Sequence, residues 1–343
     1  MLTFYAPGQP GQQMADEETC SSLTRDAVWV DVLSPTRAEE KALEQSIGLN
    51  IPTREEMEAI ELSSRLYKEK DVLFITMTIV ANAHTERPES TAVTFMLTPE
   101  RLVTLRYAEP LPFQSFRSRR DANPMNYKTG HDVFTGLVDA IIERIADILE
   151  SVGASLDRIS LKIFDAEGES GSADWADRAS QHVSRRKRKA MQRDFVHILR
   201  RIGCNSDLVS RARESLVSLA RGLAFYREMQ KDNAVARESI VHLTTVGGDL
   251  ASLSDHATFL AGKISFSLDA TMGMINNEQN KIIKIMSVAA AVFLPPTLVA
   301  SIYGMNFEVM PELKWAAGYP FAIVLMLISA VLPYAFFKRK GWL

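Results

Sequence analysis

Two long stretches of the chain contain no charged residue, and they constrain its fold more than any other feature. They cover residues 285–307 and 315–337, and none of the 39 Lys and Arg or 42 Asp and Glu residues lies in either one. A helix rises about 1.5 Å per residue, so each stretch is long enough to cross a hydrocarbon core of roughly 30 Å. Lipid offers no partners to backbone polar groups, so both stretches are predicted to be transmembrane helices.

The charges beside these stretches predict the orientation of the chain. Lys281 and Lys284 precede the first stretch, the basic residues 338–340 follow the second, and the linker between the stretches carries a single lysine. By the positive-inside rule, both termini are cytoplasmic and the linker is external. The N-terminus has no basic, apolar leader, so the part before residue 285 is expected to stay where it was made. A simpler alternative is a helical hairpin that only anchors a soluble domain.

Roughly 280 residues precede the first stretch, enough for one large domain or two small ones. The net charge of −3 indicates no bulk attraction to nucleic acid. Cys20 and Cys204 are far apart and form no Cys-x-x-Cys pair, so neither a zinc site nor a disulfide framework is predicted.

The first part of the soluble region is predicted to be a small α/β domain at residues 27–125, after an irregular lead-in at residues 1–26. Ser34 and Pro35 predict the N-cap and first residue of a helix that ends at Ile47. Pro52 favours a second helix that ends at Ile60. Runs rich in β-branched and aromatic residues predict strands at residues 27–33, 72–80, 92–97 and 101–106.

The rest of the soluble region is predicted to be helical, because no proline occurs between Pro124 and Pro295. Helical spacing covers residues 132–164, an acidic turn residues 165–177, and a basic helical region, interrupted near Gly203, residues 184–229. Beyond these long helices of residues 126–253, we expect a stalk helix at 254–303 that continues into the first transmembrane helix at 285–305. An external loop at 304–314, a second transmembrane helix at 315–337 and a basic tail at 338–343 complete the predicted order.

The stalk carries an apolar heptad pattern that is suited to packing against identical neighbours. Gly247 and Gly248 weaken helix in this region and favour a start near Asp255. The pattern itself consists of Leu243, Val246, Leu250, Leu253, Ala257, Leu260 and Ile264.

Two helices cannot enclose a water-filled path, so any pore must be built by several copies around a symmetry axis. The first transmembrane helix is the better lining helix, because steps of three and four residues place a mixed polar and apolar face along it. Polar rings can contact the water shell of a cation, and apolar rings can close a pore by dewetting. Ordinary helix packing through small residues explains the same pattern equally well. The face consists of Asn280, Ile283, Met286 or Ser287, Ala290, Leu294, Thr297 and Ser301.

The end of this helix reads Tyr303, Gly304, Met305 and Asn306, and it favours the pore. Backbone and amide oxygens at a helix end are groups that can hold a hydrated cation. Neither stretch contains an acidic residue. Mg²⁺ gives up water reluctantly, so a neutral ring of amide oxygens suits an ion that keeps most of its water.

These residues resemble the CorA family of divalent-cation channels, whose characteristic motif is matched at residues 303–306. The resemblance continues through residues 307–315, 318–320 and 337–343. Residues 278–284 and 293–300 are similar to the branch that contains the enterobacterial magnesium transporter. The resemblance implies an α+β cytoplasmic domain, long helices and two transmembrane helices, assembled as a funnel-shaped homopentamer in the bacterial inner membrane.

The resemblance also implies roles for individual residues. Gly304, Met305 and Asn306 would form the external filter, and Asn306 would hold Mg²⁺, Co²⁺ or Ni²⁺ through its hydration shell. Asn280 would form the inner ring. Intracellular Mg²⁺ would close the channel at acidic sites between subunits, whose positions are not assigned. The pore between the rings would be lined by Ile283, Met286, Ala290, Leu294, Thr297 and Ser301.

Two alternatives to a Mg²⁺ channel stay open: a zinc transporter of the related ZntB type, and a membrane-tethered sensor or scaffold that conducts nothing. The loop sequence at residues 310–313 (Met-Pro-Glu-Leu) favours the Mg²⁺ channel over the ZntB type. No phosphate-binding Gly-x-x-x-x-Gly-Lys motif or nucleophile motif occurs, so neither an ATP-driven pump nor an enzyme is indicated, and no organic cofactor is expected.

Three other patterns favour structural interpretations. The basic run at residues 185–189 lacks interleaved aromatic residues, so a solvated helix face is favoured over a nucleic-acid site. The acidic residues at 165–177 favour a solvated turn over a cation loop. The histidines are scattered without ligand spacing; they are His84, His131, His182, His197, His242 and His256.

Overall fold

A computed structural model describes residues 1–14, 17–59, 61–85, 87–168, 181–305, 315 and 317–341. The chain separates into two compact units, Met1–Leu268 and Asp269–Leu343. The strands are β1 (Leu2–Tyr5), β2 (Gln12–Gln13), β3 (Trp29–Leu33), β4 (Leu66–Glu69), β5 (Val72–Ala81), β6 (Glu89–Leu97) and β7 (Leu102–Arg106). The helices are α1 (Glu17–Asp26), α2 (Arg37–Ile47), α3 (Arg54–Glu58), α4 (Leu62–Arg65), α5 (Leu111–Ala122), α6 (Gly130–Gly168), α7 (Gln181–Met229), α8 (Arg237–Tyr303) and α9 (Gly318–Arg339).

The first unit is built on a seven-stranded sheet with the order β2-β1-β3-β7-β6-β5-β4. Strands β3 and β7 are parallel, and the other described neighbours are antiparallel. Successive residues of a strand face opposite sides, so β3 places Val30 and Val32 in the core shared with Leu43 of α2 and Met57 of α3. The four strands predicted in the α/β domain are confirmed as β3, β5, β6 and β7.

Aromatic side chains join the opposite face of the sheet to the long helices. Phe95 of β6 lies 5.5 Å from Phe134 of α6, measured between ring centroids. Phe134 in turn lies 4.8 Å from Tyr226 of α7. The sheet is therefore covered by helices on both sides, and its α+β class and the long helices that follow agree with the prediction.

The prediction of an irregular lead-in at residues 1–26 is corrected, because this segment supplies β1, β2 and α1. Strand β1 is buried along its whole length and pairs with β3 from Leu2↔Val32 to Tyr5↔Trp29. The Gly, Pro and Gln residues that indicated irregular structure lie mostly in the turn between β1 and β2. Four apolar or β-branched residues are enough to add a strand when a buried partner strand is present.

Two helices also start at other residues than predicted. Ser34 directly follows β3 and is not the N-cap, since its N–H donates to the Arg106 carbonyl of β7 over 2.9 Å. The N-cap of α2 is instead Thr36, whose hydroxyl and Glu39 form a capping box. The next helix starts the same way at Thr53 and ends at Glu58, before the predicted end at Ile60, which lies outside the described residues.

The long helices are more continuous than predicted. Helix α7 passes through Gly203 without a break, and α8 passes through Gly247 and Gly248 and begins at Arg237 rather than near residue 254. A Cβ atom added at any of these glycines would meet no atom within 4 Å. These glycines lie on open helix surface, where they weaken the helix locally while buried neighbours such as Leu243 and Leu250 hold it in place.

The heptad pattern of α8 packs within the chain, which corrects its predicted role in packing against identical neighbours. Ala257 and Leu260 are at most 1% exposed in the single chain. A Cβ atom on Gly153 of α6 would lie 3.7 Å from Leu260 Cδ2. An apolar seam fits any adjacent helix of complementary surface, and here α6 supplies it at Leu260.

The second unit contains the end of α8 and the whole of α9. Both helices are long and apolar enough to cross a membrane, with mean hydropathies of 2.0 and 2.2 over their most apolar windows. Only 6% of the residues in each window are buried within the chain. Residues 285–303 and 318–337 of the two predicted transmembrane stretches are therefore helical, and the chain itself leaves their apolar surface uncovered.

Candidate cation pathway

Helix α8 ends at the predicted filter motif, and its hydrogen bonds show how it ends. The Gly304 N–H donates to the Ala300 carbonyl over 2.9 Å, as in a regular helix. The next N–H, of Met305, donates instead to the Ile302 carbonyl over 3.3 Å. The last turn is therefore tighter than an α-helix, and the Ser301 carbonyl does not receive the hydrogen bond that Met305 would donate to it in a regular helix. The carbonyl end of a helix carries partial negative charge, which favours a cation.

Glycine at position 304 keeps this end compact. A Cβ atom there would lie 3.1 Å from the Ala300 oxygen and 3.6 Å from the Ser301 oxygen. A larger residue would therefore press on the Ala300 carbonyl oxygen, whereas its contact with the Ser301 oxygen would be an ordinary one. Met305, the next residue, is 48% exposed.

The structure leaves the predicted lining face of α8 exposed along its length. Ile283 is 60% exposed, and Met286 and Leu294 are both 67% exposed. The other members of the face, Asn280, Ala290, Thr297 and Ser301, are exposed as well. The face thus begins and ends with polar side chains and is mainly apolar in the middle, as the pore hypothesis requires. In a single chain it lacks the neighbours that would enclose a path.

The hydroxyl of Thr297 is set up to accept rather than donate. Its Oγ1 donates to the Phe293 carbonyl over 2.7 Å, which uses its only proton. The oxygen lone pairs remain free to accept from water, and an ordered water bound in this way presents oxygen to a cation.

Two consecutive prolines lie five and six residues before Ser301 and leave two backbone carbonyl oxygens without helical donors. Pro295 and Pro296 are inside α8 and have no N–H to donate. The carbonyls of Ala291 and Val292, four residues earlier, therefore lose their helical donors. Such carbonyls can bind water if they face an aqueous path, but in lipid they would be costly.

Helix α9 differs from α8 in having a nearly uniform apolar surface. Tyr319 near its start is 79% exposed, and Leu327 and Leu332 in its apolar part are 60% and 65% exposed. At its basic end, Lys340 Nζ lies 5.4 Å from the ring centre of Phe336. These features suit a helix that contacts lipid and ends at a membrane–water interface.

Some predicted site residues lie outside the described residues. They are Asn306, the loop at residues 307–314, and most of the acidic segment at residues 165–177. The basic run at residues 185–189 lies in α7, but its side chains are also outside the description. In the part of the chain that the structure describes, no three His, Cys, Asp or Glu side chains come together as a metal site.

The sequence predicts a lining face on α8 because helical periodicity is local, and the structure leaves nearly all of this stretch of the helix exposed. The prediction gave no role to Pro295 and Pro296 or to the Thr297 hydroxyl beyond helix punctuation and polarity. The paired prolines were a usable signal, since two missing donors in an apolar stretch need compensation.

Comparison with known proteins places the chain among magnesium transporters. A sequence model of the family described as "CorA-like Mg2+ transporter protein" matches residues 25–339. The magnesium transport protein CorA of Salmonella typhimurium is 34% identical over 318 residues, which cover 93% of this chain and 92% of the relative. The protein of that name from Pasteurella multocida is 33% identical, and the match covers 100% of both chains.

A solved structure supports the fold across the whole chain. The complete structure of the CorA magnesium transporter from Methanocaldococcus jannaschii matches with a TM-score of 0.69. The match covers 100% of this chain and 98% of the other, at 16% sequence identity. At that identity, the likeness shows the fold, while the relatives with 33–34% identity show the family.

Proposed function

Because the chain belongs to the CorA family of Mg²⁺ transporters, we propose that it is a channel for Mg²⁺ uptake and not an enzyme. The observation that carries the proposal is the exposed face of α8 from Asn280 to Ser301, which leads to the tightened helix end at Gly304. The relatives that match over nearly the whole chain are named for magnesium transport, which supports Mg²⁺ as the ion. Co²⁺ and Ni²⁺ are proposed as secondary ions.

The proposed pore is formed by five copies of α8, with α9 outside them in contact with lipid. Two transmembrane helices per chain cannot surround water, and the exposed lining face lacks neighbours in one chain. Asn280 forms the cytoplasmic ring, and the apolar residues Ile283, Met286 and Leu294 form constrictions. Thr297 and Ser301 supply polar rings between these constrictions and the filter.

The proposed filter consists of Gly304, Met305 and Asn306. A Mg²⁺ ion with its water shell meets amide oxygens from each copy of Asn306, and the carbonyl ends of the α8 helices favour its charge. The ion does not have to lose its tightly held water, which matches a filter without carboxylates. No organic cofactor takes part.

An electrical potential is enough to drive uptake. With both termini in the cytoplasm of a bacterial cell, an inside-negative potential of about 100 mV favours the inward movement of a divalent ion by about 4.6 kcal/mol. This corresponds to a concentration ratio of roughly three orders of magnitude. Closure by intracellular Mg²⁺ at acidic sites between subunits limits the inward flow.

The test is Mg²⁺ influx into proteoliposomes that hold an inside-negative potential. Replacing Asn306 with alanine removes the amide from every copy, and each hydrogen bond to a hydrated cation contributes about 1 kcal/mol or more. We expect Asn306→Ala to abolish influx while assembly is kept. We expect Asn306→Asp to keep ion binding but to lose selectivity for Mg²⁺ over Co²⁺.

Asn50→Ala serves as the matched control, because Asn50 is an exposed asparagine in the first unit. Its influx should equal that of the unmodified protein. Unchanged influx in Asn306→Ala would place the filter elsewhere. No Mg²⁺ influx in the unmodified protein would favour a sensor or scaffold, and influx of Zn²⁺ alone would favour the zinc transporter.

A further inference from the structure

The first unit contains a cavity of about 810 Å³ that has no part in the cation pathway. It lies between one face of α7 and the end of the sheet, and α8 closes part of its wall through Ala261, Ile264 and Ser265. All of its lining residues belong to Met1–Leu268. Its volume falls within the range of pockets that hold small organic ligands, which is about 300–1,000 Å³.

The cavity exists because β4 is shorter than β5. Strand β4 pairs with β5 only from Val72 to Ile75, so the outer edge of β5 beyond Ile75 has no strand beside it. Helix α7 occupies part of this edge with serines. The Thr78 N–H donates to Ser218 Oγ over 2.9 Å, and Ser215 Oγ donates to the Thr78 carbonyl over 2.8 Å. The backbone N–H and C=O of this edge thus have hydrogen-bond partners at Thr78, and the space beside the rest of the edge forms the cavity.

Arg65 lines this space with an incompletely satisfied guanidinium group. Its Nη2 donates to Thr78 Oγ1 over 2.7 Å, but its Nε is buried and has no hydrogen-bond partner in the described structure. Burial lowers the pKa of Arg65, the Glu214 carboxylate opposes this effect, and the Arg221 charge adds to it. A buried N–H without a partner is unfavourable, and an anion in the cavity would correct this defect.

Two further arginines line the cavity from α7. Arg213 and Arg221 are eight residues apart and therefore lie on the same face of the helix. Neither has a carboxylate within 4 Å among the residues that the structure describes. The cavity also contains Glu58 and Glu214, and Glu214 accepts from Ser90 Oγ over 3.1 Å. Three arginines against two glutamates leave one excess positive charge.

We propose that this cavity binds a small organic phosphate. Guanidinium groups match the oxygen pairs of a phosphate, so Arg65 and the neighbouring Arg221 are assigned to its phosphate group, and Arg213 adds positive charge to the wall. The organic part lies against the apolar wall, which includes Leu66 and Ile264. This wall and the volume favour an organic phosphate over inorganic phosphate, which is too small to fill the space.

Calorimetric titration of the full-length protein in detergent tests this assignment. The probes are AMP, ADP, glucose 6-phosphate and inorganic phosphate, in buffer with EDTA so that Mg²⁺ binding does not contribute. We expect at least one organic phosphate to bind more tightly than inorganic phosphate. Arg65→Gln and Arg221→Gln should each raise its Kd at least tenfold.

Arg227→Gln is the matched control, because Arg227 is an exposed arginine of α7 outside the cavity lining. It should leave the Kd unchanged. If Arg227→Gln raised the Kd by the same factor, the effect would come from the overall charge of the protein, and the proposal would be overturned. Binding by none of the three organic phosphates, as expected if a neighbouring copy covers the cavity, would overturn it as well. The titration does not measure Mg²⁺ influx, so its failure is separate from failure of the channel.

Discussion

Asp31 and Arg106 form a buried ion pair between the parallel strands β3 and β7, and each is at most 2% exposed. Arg106 Nη2 and Nε donate to the two carboxylate oxygens of Asp31 over 2.7 and 3.0 Å. Thr104 Oγ1 also donates to this carboxylate over 2.9 Å, and the Arg106 guanidinium lies over the ring of Phe113. Each group therefore has its nearest opposite charge in the other, and neutral partners alone would remain if one were removed.

We predict that Arg106→Ala destabilises the protein by about 3–5 kcal/mol, because the Asp31 carboxylate is left buried without its partner. The matched control is Arg54→Ala, which breaks an exposed pair with Glu58 in α3. Exposed pairs of this kind contribute about 0.3–0.5 kcal/mol. Thermal unfolding followed by circular dichroism measures both variants. Equal shifts in Tm would show that the buried network contributes no more than a surface pair.

His131 is a second buried polar group, and it makes stability depend on pH. Its Nδ1 shares a hydrogen bond of 2.8 Å with the Tyr226 hydroxyl, and burial lowers its pKa below the ordinary 6.5 against the opposing charge of Asp132. The unfolded chain then binds a proton at this residue more readily than the folded protein does. The stability due to neutral His131 is present above about pH 6.5 and is lost as the pH falls from there through the folded pKa.

We predict that His131→Gln loses less stability between pH 7.5 and pH 5 than the unmodified protein, since glutamine keeps a hydrogen-bonding group but does not titrate. The free energy of unfolding at several pH values measures the difference. His84→Gln, at an exposed histidine, should follow the unmodified protein. Parallel curves for His131→Gln and the unmodified protein would contradict the assignment.

At the level of elements, two glycines of the long helices have opposite surroundings, one open and one tightly packed. Gly203 lies inside α7, and a Cβ atom there would meet nothing within 4 Å. Gly130 begins α6 against β7, and a Cβ atom there would lie 2.6 Å from the backbone of Arg101 and Leu102. The contact at Gly130 involves backbone atoms, so it cannot be relieved by a side-chain rotation.

We predict that Gly203→Ala stabilises the protein by about 0.5–1 kcal/mol, because alanine favours the helix. The same substitution at Gly130 should destabilise it by about 1–3 kcal/mol, because the strand and helix must separate. The two variants are controls for each other in one thermal unfolding experiment. Shifts of the same sign would contradict the packing seen at Gly130.

Sequence patterns predicted elements whose signals are local. Runs rich in β-branched and aromatic residues gave β3, β5, β6 and β7, and charge-free length gave the two transmembrane helices. Strand β1 was missed because its burial depends on pairing with β3, some 25 residues away, and four residues carry little signal. The Asp31–Arg106 pair and the arginines of the cavity were not foreseen for the same reason, since they meet only through the sheet and α7.

The heptad pattern of α8 shows a different limit. Its period correctly indicated a helix with one apolar seam, but a period does not identify the partner. The chain's own helices cover Ala257 and Leu260, while the exposed face further along α8 has no partner in a single chain. The first part of α8 therefore packs within the subunit, and the second part carries the exposed surface on which the proposed pore depends.

At the scale of the whole molecule, the two cysteines allow a test of topology. Cys20 is buried, whereas Cys204 on α7 is exposed. We predict that a membrane-impermeant maleimide labels Ala317→Cys in intact cells. Ala317 lies between the two transmembrane helices, and Cys204 is replaced by serine in this variant. The native Cys204 should react only after permeabilisation. Labelling of Cys204 in intact cells would show that the chain has the opposite orientation.

The predicted assembly depends on the exposed lining face of α8. We predict that the detergent-solubilised protein has about five times the 38.3 kDa mass of one chain, measured by light scattering. Ser301→Cys, on the lining face and with Cys20 and Cys204 replaced by serine, should form disulfide-linked dimers on oxidation, because symmetry brings the copies together near the axis. Leu327→Cys is the control, since α9 faces lipid in the proposed pore. A monomer that still transports Mg²⁺, or cross-linking at Leu327 but not at Ser301, would rule out a central pore lined by α8.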